Sequence, residues 1–532
     1  MAGTLVDPAR AGNLIVNGGR VGYQLGATMN AERQPAPPPV TISRAESWQV
    51  GLLLAAFFVF NLLTAARYPF VWIDEVMYSD PAVNLLLGHG FTSSAWYAQS
   101  SSELWAGNVP LHSAVLYLWL RVFGFSITSV RSLNLVCLVA AAALAWRAGA
   151  RLRLIVTARA RLTFLALLLG GYAVIFAYRS GRPDGLALLL VAALGFAQSL
   201  ASAWKRIGSW FALGLLAPWV GLQLLPLLGV GGGLLLLFVG GRSLPQLAAG
   251  GAGAVAGLGS LVLFYQSHGV WESFLRSIRQ HTSAGFFGML MSGQFRHSNL
   301  LPKDFSFWPV FALALLLAAY LLARRRLSWR SPLCFGLAYA VALSLALVIG
   351  GKFPTYYGWM TYAPLCLCVC AALSSTPLPP LWRRASGGAL MLAVGVGAGP
   401  HLAAAAWDWP ERDYERVRAF VRQHVTAGDW LYGDHVVYYA AKPLAARVFM
   451  PFYLAAMPED EKRRLTVLLV APGNLTEVTN TIGGHWVSTG DRLSPGRPPL
   501  FGTDWKRGFL SMPNHELEVF RRYEETTEAA RP

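Results

Sequence analysis

The chain reads as a mainly α polytopic membrane protein, with about eleven transmembrane helices and a small C-terminal extracytoplasmic α/β domain. Three observations predict this. Hydrophobic residues make up 55% of the 532 and charged residues 13%, with a positive mean hydropathy, a balance that water-soluble chains of this length do not have. Apolar runs long enough to span a bilayer alternate with short turns rich in Arg, the pattern of cytoplasmic loops. The net charge of +17 is also unevenly placed: from Asp408 onward 16 Lys and Arg face 17 Asp and Glu, so the whole excess lies in the membrane part. That placement holds loops inside and argues against a nucleic-acid partner.

Met1 to Ser47 contains Gly, Asn and QPAPPPV without an apolar period, and is expected to be a disordered cytoplasmic tail. The first span is expected to serve as the anchor, with no cleavable signal before it. The transmembrane part covers residues 48–406. Trp48 to Ala66 crosses outward to a first external loop, residues 68–128, which carries Asp74, Glu75, Asp80 and Glu103 against Arg121 as its basic residue. Val130 to Trp146 returns to RAGARLRLIVTARAR, whose arginines and lack of acid keep it inside. Leu162 to Tyr178 goes out, RSGRPD (Arg179 to Asp184) forms a short external turn, and Gly185 to Ala203 comes back to Lys205 and Arg206.

Ile207 to Leu222 and Leu224 to Val239 are short and interrupted by Gly and Pro, as membrane helices beside a cavity are. Leu247 to Tyr265 leads out to the loop Gln266 to Ser306, and Phe307 to Leu322 leads back to ARRRLSWR. Leu333 to Ile349 exits to GGKFPTYYG, Tyr357 to Leu373 re-enters to Arg383 and Arg384, and Gly388 to Ala406 exits for the last time. The N-terminus is therefore expected in the cytoplasm and the C-terminal domain outside the plasma (inner) membrane. VPLHSAVLYLWLRVFG, Val109 to Gly124, is not counted. It barely spans the ~30 Å hydrocarbon layer, and counting it would put the arginine-rich loop outside, so it is read as a helix lying along the outer surface.

Residues 408–532 change pattern. ERDYERVRAFVRQHV has helical period, DWLYG and TVLLVAPG read as buried strands, and LEVFRRY as a closing strand. NLT at Asn474 is a weak glycosylation signal. The five cysteines, Cys137, Cys334, Cys366, Cys368 and Cys370, all fall in apolar runs, so they read as core filling, neither a disulfide framework nor a metal site.

The chemistry-bearing residues gather at one expected membrane face. Asp74 and Glu75 open the first external loop, with Tyr78 one helical turn on. Asp184 lies beside Arg179 and Arg182 in the next external turn, and Lys352 is the basic residue of a later one. An adjacent acidic pair is open to three readings: a solvated loop pair, an ion or proton site of a transporter, or a catalytic carboxylate acting on a substrate delivered from the bilayer. Carboxylates with cations at one face suit a lipid-linked phosphate, since cations hold the departing phosphate and a carboxylate handles the attacking group. A proton-coupled transporter would carry acids at the midplane, where the expected spans have none.

These residues resemble a known family. WIDEVMYSDPAVNLLLGHG, VPLHSAVLYLWLRVFGFSITSVRSLN and YRSGRPDGLALLL, with GKFPTYYGWMTYAP further on, are similar in spacing and character to the GT-C glycosyltransferases. The closer likeness is to the protein O-mannosyltransferase and aminoarabinose transferase-like group (glycosyltransferase family 39-like). The resemblance covers roughly Trp48 to Ala203 and resumes at Lys352. It implies transfer of a sugar from a polyprenyl-phosphate carrier on the extracytoplasmic face, by an inverting displacement. Asp74 matches the family's catalytic Asp, Glu75 its neighbour and Asp184 the acid of the second external loop. Lys352 matches a cation facing the donor phosphate, with Arg179 or Arg182 beside it. Tyr78, Tyr356 and Tyr357 complete the expected substrate-binding set. Where relatives carry a Lys or His and a second Pro before the surface helix, this chain has Asn108 and Val109.

No cofactor beyond the lipid-linked donor is required by this reading. Some relatives hold a divalent metal, for which Glu103, His112, His268 and His281 are the candidates. The expected partners are a polyprenyl-phosphate sugar, membrane lipids and an acceptor (glycan, lipid or protein) that the sequence does not identify. The alternatives are a lipid or sugar-phosphate transporter that uses the same charges for binding only, and a membrane anchor whose outer domain binds glycan.

Overall fold

The structure, a computed structural model, describes residues 40–282, 304–350, 357–504, 509–512 and 516–523. In hydrocarbon each backbone N–H and C=O needs a partner from its own segment, and each expected apolar run is helical here. In chain order the first helices are α1 (Arg44–Thr64), α2 (Ile73–Leu86), α3 (Leu111–Phe123), α4 (Ile127–Arg151), α5 (Ala158–Gly170), α6 (Tyr172–Tyr178), α7 (Asp184–Gln198) and α8 (Ala203–Val220). They continue as α9 (Leu224–Val239), α10 (Leu244–Ser267), α11 (Trp271–Thr282), α12 (Phe307–Ala323), α13 (Pro332–Ile349), α14 (Trp359–Ser375) and α15 (Pro380–Trp407). Among the described residues five helices, α1, α4, α10, α13 and α15, are long and apolar enough to cross a membrane. The count is six if α5 and α6, bent by 66° at Gly171, form one span. The first helix starts at Arg44, inside the stretch expected to be tail; residues 1–39 lie outside the described residues.

Two buried polar clusters mark the ends of the bundle. At one, Glu46 of α1 accepts from Arg161 of α5 (Nε at 2.6 Å, Nη2 at 2.5 Å) and from Trp146 of α4 at 2.9 Å. At the other, Arg131 of α4 donates to the Ala65 and Pro69 carbonyls at 2.6 and 2.8 Å, so it ties down the chain leaving α1. Small residues set the helix spacing between α8 and α10. A Cβ on Gly214, Gly253 or Gly257 would come within 2.1–2.3 Å of the facing backbone oxygen, so only glycine permits this approach.

The C-terminal region is an α/β layer. α16 (Tyr414–His424) precedes β1 (Trp430–Gly433), a short α17 (Tyr438–Ala441) and β2 (Arg447–Phe449). α18 (Glu459–Arg464), β3 (Val467–Val470), α19 (Leu475–Ile482), β4 (Trp486–Leu493) and β5 (Leu517–Arg522) follow. The strand order is β2-β1-β3-β5-β4, with β1 parallel to β2 and β3, and β5 antiparallel to β3 and β4. One core joins this layer to the helices: Val76 and Val83 of α2, Leu116 of α3 and Val130 of α4 are buried with Tyr414, Val437 and Val519. Backbone contacts extend the joint, with Met450 N–H donating to the Ser94 carbonyl at 3.0 Å and Ser101 N–H to the Tyr453 hydroxyl at 2.9 Å. The five cysteines are unbridged, and Cys137, Cys366, Cys368 and Cys370 are buried among apolar side chains.

Candidate active site

Asp74 and Glu75 sit in the first turn of α2, where the helix N-terminus favours acids. Successive residues on a helix point about 100° apart, so the two carboxylates separate at once. Glu75 turns inward and is fully buried. Its oxygens accept from Arg131 Nε at 2.9 Å, Arg131 Nη2 at 3.2 Å and the Tyr439 hydroxyl at 2.8 Å. Asp74 turns the other way and keeps 21% of its side chain exposed while bound to Arg182.

Arg182 is the centre of this arrangement. Its Nη1 donates to Asp74 and its Nε to Asp184 at 2.8 Å, and Trp359 Nε1 donates to the other Asp184 oxygen at 3.3 Å. Among the described residues, the rings of Trp72 at 5.4 Å, Tyr78 at 5.2 Å and Tyr357 at 6.0 Å face the guanidinium. Such contacts hold a cation while leaving its N–H fork for carboxylates or phosphate. Asp74 and Tyr78 are four apart on α2 and so reach the same guanidinium.

The turn that carries Arg182 is clamped by its backbone. Asn134 of α4 donates to the Ser180 and Arg182 carbonyls at 2.5 and 2.6 Å, and His112 Nε2 of α3 donates to the Gly181 carbonyl at 2.8 Å. Gly181 admits no side chain, since a Cβ there would meet Val130 Cγ1 at 2.6 Å. His112 Nδ1 has no partner among the described residues, and burial pushes the imidazole down to about 4, against the Gly181 carbonyl and Asp184, which favour its charged form. Burial likewise raises the Tyr78 hydroxyl well above its ordinary range, and Arg182 opposes the shift.

The other expected site residues go to different places. Tyr357 joins Asp74, Tyr78, Arg182 and Asp184, while Lys352 and Tyr356 lie outside the described residues. Arg179 turns away from Arg182, donating to Asn61 Oδ1 at 2.8 Å, the Tyr68 carbonyl at 2.9 Å and Thr64 Oγ1 at 2.8 Å. Asp80, which stands before Pro81 as a helix cap would, lies inside α2 and is buried. It accepts from Lys442 Nζ at 2.7 Å, the Tyr438 hydroxyl at 2.8 Å, Ser93 Oγ at 2.9 Å and Ser94 N–H at 2.8 Å.

The metal candidates do not converge. Glu103 accepts from Ser273, His112 holds the Gly181 carbonyl, His268 contacts the Phe264 carbonyl, and the His281 side chain lies outside the described residues. Among the described residues no three His, Cys, Asp or Glu side chains form a metal-holding group. Arg182 already bridges Asp74 and Asp184, the position a dication would need, so the residues present do not fit a metal there.

Sequence reasoning did not single out Arg131, Asn134, Tyr438, Tyr439 or Lys442. For Arg131 a signal was available, an arginine within an apolar helix, where a charge needs a partner. The partners from the α/β layer carry no such mark, because their contacts with α2 span more than 350 positions.

The helical bundle joined to an α/β layer has the fold of the GT-C glycosyltransferases. ArnT from Cupriavidus metallidurans, solved bound to undecaprenyl phosphate, is similar to this chain over 90% of its length and 99% of that protein's. The TM-score is 0.54 and the identity 13%. The Archaeoglobus fulgidus oligosaccharyltransferase, tethered to an acceptor peptide or in the apo form, covers 82–83% of the chain at a TM-score of 0.41 and 10–12% identity. No protein-family model and no curated protein sequence matches the chain.

Proposed function

We propose that this protein is an inverting glycosyltransferase that moves a sugar from a polyprenyl-phosphate donor to an acceptor at the membrane face carrying the α/β layer. The observation that carries the reading is the partly exposed Asp74 carboxylate bound to a buried Arg182, which Asp184 in turn orients. Its likeness in fold to a protein solved with undecaprenyl phosphate supports a lipid-phosphate donor.

In this reaction the acceptor O–H or N–H gives its proton to Asp74 as its heteroatom bonds to the anomeric carbon. The bond from that carbon to the phosphate oxygen breaks, and the electron pair leaves with polyprenyl phosphate. Arg182, with Lys352, offsets the charge on the departing phosphate. Of the two arginines in the turn, Arg182 is given this role because it contacts Asp74. The bonds of both Glu75 oxygens to Arg131 and Tyr439 support a role for Glu75 in holding α2, and the proton transfer is given to Asp74 alone.

The test is to supply purified protein in liposomes with a labelled polyprenyl-phosphate sugar and an extract of envelope acceptors, and to follow release of polyprenyl phosphate. Release by wild type and its loss in folded Asp74→Asn is the expected result. A wild-type protein that moves the intact donor between leaflets without cleaving it would establish the transporter reading instead.

A further inference from the structure

A lateral cavity of about 500 Å³ lies between α1, the bent α5–α6 pair and α15. Its apolar wall includes Leu53, Phe57 and Phe60 of α1 and Leu402 of α15. Leu53, Phe60 and Leu402 are 36%, 51% and 53% exposed on the flank of the bundle, so in a bilayer the cavity opens sideways into hydrocarbon. Its head, at the bundle end that bears the α/β layer, is polar and is formed by Tyr68, Arg179 and His401.

Two buried groups of this head, and a third, Arg412, which stands over the Tyr68 ring and does not line the cavity, carry charge or donors that an anion would meet. Arg179, 8% exposed, donates only to neutral oxygens and has no carboxylate within ion-pair distance among the described residues. A buried cation without a counter-charge is costly. His401, 3% exposed, receives the Tyr68 hydroxyl on Nδ1 at 2.5 Å, an assignment that puts its ring proton on Nε2. That Nε2 has no partner among the described residues. Arg412, 2% exposed, lies 4.8 Å over the Tyr68 ring; its Nη2 pairs with Asp408 at 3.1 Å, and its Nε and Nη1 have no partner among the described residues.

We propose that this cavity binds a membrane phospholipid with an anionic headgroup, its chain against α1 and α15 and its phosphodiester at Arg179 and His401. The reacting lipid is a different molecule, because an aromatic wall stands between the cavity and Asp74. Phe176 packs on His401 at 5.8 Å, on Phe509 at 4.1 Å and on Trp72 at 6.3 Å, and Trp72 in turn carries Arg182 over its ring at 5.4 Å. The proposal does not depend on the reaction above, and its test reads lipid retention, not turnover.

The experiment is native mass spectrometry of the delipidated full chain, titrated separately with phosphatidylglycerol, phosphatidylcholine and undecaprenyl phosphate. We expect one phosphatidylglycerol per chain, held at least about tenfold more tightly than phosphatidylcholine, because the two share the phosphodiester but the choline cation of phosphatidylcholine would lie beside the uncompensated Arg179 charge. Two variants change the cavity at different depths. His401→Phe keeps a ring but removes the donor, and Ala398→Phe fills the wall and leaves the polar head intact. Each should lower phosphatidylglycerol retention by about fivefold or more, with melting in phosphatidylcholine nanodiscs as the folding control; if one variant does not fold, the other decides. Equal retention of the two phospholipids, retention of undecaprenyl phosphate in preference to phosphatidylglycerol, or unaltered retention in a folded variant overturns the proposal.

Discussion

Asp74 and Glu75 are neighbours, yet one keeps 21% of its side chain exposed and the other none, and the roles proposed for them rest on this difference. A base must reach its acceptor, so the exposed carboxylate is the candidate. General base catalysis contributes a factor of ~10² to 10⁴, so Asp74→Asn should lower kcat/KM by at least two decades. Asn keeps the size and one acceptor oxygen, so the melting temperature should stay close to wild type. Glu75→Gln should do the reverse. It leaves Arg131 buried without its counter-charge, a loss of roughly 3–5 kcal/mol, and should lower the melting temperature while the folded fraction still turns over. Transfer assays and thermal unfolding on both variants check the assignment; a stable Glu75→Gln protein without activity would move the catalytic role to Glu75.

Two elements place the site, α2 and the turn before α7, and each is held from outside itself. His112 of α3 holds the turn through Gly181, and its imidazole is kept neutral down to about pH 4. The unfolded chain takes up this proton below about pH 6.5 and the folded chain does not, so His112 makes stability fall as the pH drops from about 6.5 to 4. The slope is about 1.4 kcal/mol per pH unit. His112→Gln keeps a donor and lacks that slope, so the stability advantage of wild type over the variant should shrink between pH 6.5 and 4.5. A constant advantage across melts at three pH values would show that His112 is not buried in this way. α2 is held through Asp80 and Lys442, whose ammonium is pushed below its ordinary range by burial, with Asp80 opposing. Lys442→Met should destabilise by roughly 3–5 kcal/mol by leaving Asp80 buried without its cation. Adding Asp80→Asn should recover part of that loss, as coupled neighbours do. Additive losses in the double variant would mean the two residues act separately.

Across the whole molecule the polar groups divide by end. Glu46, Trp146 and Arg161 close one end of the bundle, while Asp74, Arg131, Arg182 and the α/β layer share the other. By connectivity the arginine-rich turns around Arg159 and Arg325 belong to the first end. Because Arg and Lys in short loops hold them in the cytoplasm, single cysteines replacing Arg159 and Arg325 should be labelled only from the cytoplasm. Cysteines replacing Glu103 and Asp491 should be labelled only from the opposite side. Labelling of position 103 from the cytoplasm would invert this arrangement and place the site on the cytoplasmic face.

The sequence by itself marked the apolar helices and the change to α/β pattern after Asp408, because each depends on composition or periodicity within a few residues, but not α11, which lies in a stretch read as loop, nor the bend at Gly171. It also marked Asp74, Asp184 and Arg182, since charges in so apolar a chain stand out wherever they are. Only the tertiary structure decided what each charge faces. The one-residue step from Asp74 to Glu75 is invisible as composition but is a rotation of about 100° on a helix, and it sends one carboxylate to Arg182 and the other to Arg131. Arg179 and Arg182 are likewise three apart, yet one faces the flank of α1 and the other the group around Asp74. Tyr438, Tyr439 and Lys442 reach α2 across more than 350 positions, and no local pattern records that contact. A buried charge needs a partner but does not say where along the chain it lies, so the fold has to supply it.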